Sequence, residues 1–101
     1  MSTNNFDSLT AYIAEMYQAS CELLDVVEYT ERYKGRALWS GQVGIFRVAR
    51  GDFVFDCFAW DVDPLMGLVE PVVMIKSADI PSPGAAVRLH LMNLSQEFAA
   101  A

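Results

Sequence analysis

At the start of the chain, Phe6, Leu9, Ile13, Met16 and Ser20 follow one another at three- and four-residue steps. That spacing predicts an α-helix with one buried stripe. Asn5, Asp7 and Ser8 supply capping oxygens and negative charge near its beginning. Tyr12, Tyr17 and Cys21 widen the stripe, and the helix is expected to end near residues 20–24. Over residues 26–33 the period falls to two. Val27, Tyr29 and Tyr33 alternate with Val26, Glu28, Thr30 and Arg32, a half-exposed strand. Lys34-Gly35 is a turn candidate, and a second strand is expected over 38–50. Its Gly41 and Gly44 are candidates for a bulge or a close backbone approach.

Residues 38–62 are apolar on two sides. Gly51-Asp52 suits a two-residue hairpin turn with glycine first. That register sets Arg47 opposite Asp56, the only facing pair of opposite charges in the hairpin. Opposite charges facing each other across two strands favour it, and a slip by one residue would lose the pair. One face then holds Gly44, Phe46, Val48, Phe55, Cys57 and Ala59. The other holds Val43, Ile45, Ala49, Val54, Phe58, Trp60 and Val62, with Arg47 and Asp56 among them.

Asp63-Pro64 should end this strand, because proline cannot donate to a ladder. Leu65-Met66-Gly67-Leu68 is a connection, Val72-Val73-Met74-Ile75 a short buried strand, and residues 77–81 a loop. Ser82-Pro83 pairs an N-cap hydroxyl with proline at the first helical position, and Val87, Leu91, Leu94 and Phe98 form the stripe of a second helix. The order is α-β-β-β-β-α without strand–helix alternation. It predicts an α+β fold: an antiparallel three- to four-stranded sheet with the N- and C-terminal helices packed on one face, a single domain over 1–101, and disorder at 1–4. The order is similar to that of the double-stranded-RNA-binding domain with one strand added. That family's basic start to its second helix is replaced here by Ser82-Pro83-Gly84-Ala85-Ala86, with Arg88 the only base.

Composition narrows the function. The chain is 53% hydrophobic with a net charge of −6, and surplus apolar residues on a small domain tend to mark contacts. Asp7, Glu15, Glu22, Asp25, Glu28 and Glu31 precede any Lys or Arg, and Arg32, Lys34 and Arg36 form the one dense basic spot. The acidic balance disfavours nucleic acid and anionic membrane surfaces. No apolar run reaches transmembrane length, and no leader pattern is expected. Cys21 and Cys57 are too few for a disulfide framework or a zinc site and read as thiols of a cytoplasmic protein.

Each reactive group has a structural alternative. His90 could act as a general base toward Cys57 or Cys21, but no third orienting group is evident, and a core-edge histidine is the expectation. Asp61 and Asp63 with Gln42 could hold a hard cation, or simply terminate a strand. Cys21 and Cys57 could form a redox pair, or serve as small buried hydrophobes. Arg32, Lys34 and Arg36 lie among Tyr29, Tyr33 and Trp39, a pattern that can bind single-stranded nucleic acid. No catalytic residue, metal or cofactor is expected. The expected function is a non-enzymatic interaction module, a homodimer joined through Val43, Ile45, Arg47, Phe58, Trp60 and Val62, with Trp60 and Phe58 as anchors. The alternatives are a small-ligand-binding protein or enzyme with the same face as pocket floor, and nucleic-acid binding through the basic turn.

Overall fold

A computed structural model describes the backbone of residues 5–61 and 71–100 and the side chains of residues 6–61 and 71–93. The disorder expected at 1–4, the strand end Val62-Asp63-Pro64, the connection 65–68 and the side chains of Leu94 and Phe98 lie outside the described residues. The elements are α1 (Asn5–Tyr17), β1 (Ser20–Tyr33), β2 (Arg36–Arg50), β3 (Phe53–Trp60), β4 (Val72–Ile75) and α2 (Pro83–Ala100). The strands form one antiparallel meander in the order β1-β2-β3-β4. This is the predicted α-β-β-β-β-α sheet.

Helix α1 stops earlier than its stripe suggests. Gln18 takes a left-handed backbone (φ 52°). Ala19 N–H donates to the Ala14 carbonyl at 3.0 Å, and Gln18 N–H to that of Glu15 at 3.3 Å. This pair of bonds is a Schellman cap, made here without glycine. Ser20 and Cys21 therefore belong to β1, and Met16 is exposed.

Both hairpins are two-residue turns. At Lys34-Gly35 both φ values are positive, 51° and 81°, as a type I′ turn requires. At Gly51-Asp52 only the glycine is positive (φ 60°), as in type II′. The second turn sets the register expected from sequence: Arg47 faces Asp56, Phe46 faces Cys57 and Ile45 faces Phe58. Arg47 Nε lies 3.0 Å from Asp56 Oδ1.

The two bulges fall away from the glycines. The unpaired residues are Leu24 in β1 and Leu38 in β2. Gly44 instead allows close approach, since a Cβ there would stand 2.6 Å from the Phe46 ring and 2.9 Å from that of Phe6. The Leu24 bulge shifts the phase of β1. Before it, Cys21 and Leu23 share a face with Val48 and Phe46; after it, Val27 shares the opposite face with Val43, as Tyr29 does with Gly41.

That phase shift goes with the main departure from expectation. The helices do not share a face. Helix α1 lies on the Phe46 side, where Leu9 and Ile13 pack with Phe46, Val48, Cys57 and Ala59. Helix α2 lies on the other side, where Ala86 and Val87 pack with Val43, Phe58 and Trp60. The physical reason is that both faces of the β2–β3 hairpin are apolar. Two helices on one face would leave Trp60 and Phe58 in water, each at a cost of roughly 1.5–3 kcal/mol. Helix α2 begins as expected: Ser82 Oγ accepts from Ala85 N–H at 3.2 Å, and the Ser82 carbonyl from Ala86 N–H at 3.1 Å.

Candidate functional site

The face expected to receive a partner is filled by the chain's own helix. Val43 is 0% exposed, Trp60 1% and Phe58 2%, so the expected anchors are core residues and offer no contact surface. The Trp60 ring system meets Trp39 and His90 in edge-to-face contacts, each with centroids 5.8 Å away. Ile45 is half-buried. Arg47 is exposed and held by Asp56, whose hydrogen bonds and charge raise the guanidinium pKa. Val62 lies outside the described residues. The same packing fills the pocket floor of the ligand-binding alternative. Sequence reasoning grouped Val43, Phe58 and Trp60 correctly on one buried surface and assigned the wrong cover to it.

The candidate catalytic and redox groups are kept apart by the sheet. His90 stands over Trp60 on the α2 side, whereas Cys57 belongs to the α1-side core and Cys21 packs against it. A histidine on one face cannot activate a thiol on the other. Burial pushes the Cys57 thiol up to about 12, with smaller contributions from Cys21 and Asp56, and burial raises Cys21 as well. Neither is a ready nucleophile. Both are free. Cys21 lies on β1 opposite Val48, and Cys57 on β3 opposite Phe46. Two strand spacings of about 4.8 Å separate them, too far for a disulfide without backbone movement. Burial raises the Asp61 carboxyl, and no group of three or more metal-ligating side chains occurs among the described residues. Asp63 lies outside them.

The basic turn keeps its charges in solvent but only part of its aromatic lining. Tyr33 is 60% exposed, with Lys34 Nζ 5.3 Å from its ring centre. Trp39 is packed in the α2-side core. Tyr29 is committed to a clamp beneath α2: its hydroxyl donates to Glu31 Oε1, and Arg88 reaches Glu31 Oε2 at 3.3 Å and the Tyr29 hydroxyl at 3.3 Å. The hydrogen bond to Glu31 raises the Tyr29 pKa. The same bond, then that from Arg88, lowers Glu31. Gly84 lets the helix close onto this ring, for a Cβ there would lie 2.8 Å from it.

Two surfaces that sequence reasoning did not single out are open. The first is at the tip of the β2–β3 hairpin. Phe53 is 76% exposed beside a recess of about 640 Å³ lined by Tyr17, Ala19, Arg50, Gly51, Phe53 and Phe55. The second is the outer edge of β1, a strand of 14 residues at the margin of the sheet. No described strand pairs with that edge. Edge strands normally carry shortness, proline, charged side chains or bulges as protection against pairing; β1 has charges and a bulge at Leu24 but no proline or lysine, and its residues from Val27 to Tyr33 are free of bulges. Its length was the missing signal, because the sequence suggested a strand over 26–33 alone.

No protein-family model matches the chain, and neither a curated protein nor a solved structure does so significantly. No helix among the described residues is long and apolar enough to cross a membrane.

Proposed function

We propose that the chain is a non-enzymatic interaction module that works as a homodimer, with β1 as its contact element. The carrying observation is the open edge of a 14-residue strand in a sheet whose described apolar faces are both covered by helices. Pairing between edges satisfies backbone donors and acceptors that nothing else in the described fold meets. It also needs no reactive side chain, in keeping with the separation of His90 from both thiols. The free thiols of Cys21 and Cys57 fit a reducing cytoplasm,.

Light scattering at about 100 µM is expected to give twice the 11.2 kDa chain mass. Thr30→Pro is expected to give the monomer with unchanged circular dichroism, since proline is tolerated on an edge strand where its nitrogen faces outward. A wild-type monomer at that concentration would overturn the reading.

The hairpin tip favours a second reading, a small-ligand site. Its recess joins three aromatic walls to one cation, Arg50, a combination suited to an aromatic or aliphatic carboxylate. Thermal stabilisation by such acids, lost in Phe53→Ser, would support it. No stabilisation by any of them would remove it.

A further inference from the structure

The geometry points to one register for that dimer: two β1 strands run antiparallel about a two-fold axis at Thr30, with Glu28 of each copy opposite Arg32 of the other. This rests on the homodimer reading and fixes which residues meet.

The argument starts at the Lys34-Gly35 turn. In a two-residue hairpin the flanking pair, here Tyr33 and Arg36, exchanges hydrogen bonds,. Tyr33 therefore turns its backbone groups toward β2. By alternation Arg32, Thr30, Glu28 and Val26 turn theirs outward. The bulge at Leu38 adds its residue to β2 and leaves the phase of β1 intact. An independent contact agrees. The Val26 N–H donates to its neighbour's carboxylate, Asp25 Oδ1, at 2.8 Å, which closes the edge beside the Leu24 bulge. What remains open runs from Val27 to Tyr33, free of bulges in β1.

Within this stretch the outward groups belong to Glu28, Thr30 and Arg32, all exposed. A two-fold axis at Thr30 pairs Thr30 with Thr30 and Glu28 with Arg32 on both sides. These three pairs would exchange about six backbone hydrogen bonds. All three side chains are exposed on the α1-side face of the sheet, so the opposite charges meet directly. An axis one position away, at Tyr29, would set Glu28 against Thr30 and Arg32 against Val26, whose N–H is already taken by Asp25, and would lose both charge pairs. A two-residue shift to Glu28 would place Glu28 on Glu28. On the α2 side the Thr30 axis lays Tyr33, 60% exposed, against Val27 of the second copy. The partner is thus a second copy of this chain, and the four-stranded sheet becomes one of eight.

The test is charge exchange on exposed residues, which leaves folding intact. Sedimentation equilibrium on the full chain compares wild type, Glu28→Arg, Arg32→Glu and the double variant. Each single variant is expected to weaken the dimer about ten- to thirty-fold, because two like-charged pairs replace two opposite ones. The double variant is expected to restore it. A wild-type dimer indifferent to the single variants, or not rescued in the double, overturns this register and leaves the homodimer standing. A wild-type monomer overturns both.

Discussion

The two faces of the sheet are sealed in different ways. Under α1 the contact is apolar: Leu9 and Ile13 rest on Phe46, Val48, Cys57 and Ala59, and the Tyr17 ring meets Phe55 edge-on at 5.1 Å. Under α2 the apolar contact of Ala86 and Val87 with Val43, Phe58 and Trp60 is joined by the Tyr29–Glu31–Arg88 clamp. The described packing of α1 on the sheet is hydrophobic. Helix α2 adds directional polar bonds that fix it over β1. The contrast teaches that a hairpin apolar on both sides does not by itself call for a partner. Two helices on opposite faces meet the need, and the longest edge strand left open among the described residues is β1.

The largest effect on this comparison is expected from emptying either core. Phe46→Ala and Trp60→Ala should each cost about 3–5 kcal/mol in urea denaturation. A cost under about 1 kcal/mol for Trp60→Ala would mean that α2 does not seal its face.

Alkali should then act on the α1 side. Cys57 ionises in the unfolded chain near the usual thiol value but only near about 12 in the folded one. Above pH 9 the unfolded state releases the proton first, so stability falls as pH rises toward 12, by up to about 4 kcal/mol. Cys57→Ala should flatten that decline, and an unchanged slope in the variant would contradict the burial of the thiol.

A pair of glycine substitutions should split the faces. The Cβ of Gly44→Ala meets two rings in a closed core, and overpacking there should cost about 1–3 kcal/mol. Gly84→Ala meets the far end of the half-buried Tyr29 ring, whose shift loosens the clamp, and a gain of up to about 1 kcal/mol of helix propensity offsets that loss. Its melting temperature should barely move. Equal losses at both positions would erase the distinction between a closed and a yielding contact.

Acid should produce the smallest effect, on the α2 side. Glu31 is held below its ordinary value, so its contribution is present above the unfolded carboxylate pKa and is lost as pH falls through the folded one. Glu31→Gln should lower the melting temperature slightly at pH 7 and not at pH 2. A deficit that persists at pH 2 would assign the loss to packing.

Much of this was legible in the residues, and the exceptions share a cause. The Gly51-Asp52 turn, the Arg47–Asp56 pair and the Ser82 cap each depend on neighbours in sequence or directly across one hairpin. The end of α1 was not legible because its left-handed cap falls on Gln18 rather than glycine or asparagine. The Leu24 bulge exists only in relation to β2, so β1 read as a strand of half its length. The side chosen by α2 depends on the path of residues 76–82, where Ser77 and Ile80 exchange backbone hydrogen bonds at 3.1 Å. A helical stripe carries no record of which face it will meet. That Trp60 and Phe58 are covered was therefore readable, and what covers them was not.

The β1 edge is tested most directly by amide hydrogen exchange on the wild-type chain at about 500 µM and again after dilution to about 1 µM. The expected result is that Glu28, Thr30 and Arg32, whose N–H groups face outward, are protected at the high concentration and exchange freely at the low one. Tyr29 and Glu31, bonded to β2, should stay protected throughout. Free exchange of the three outward amides at both concentrations would contradict the account.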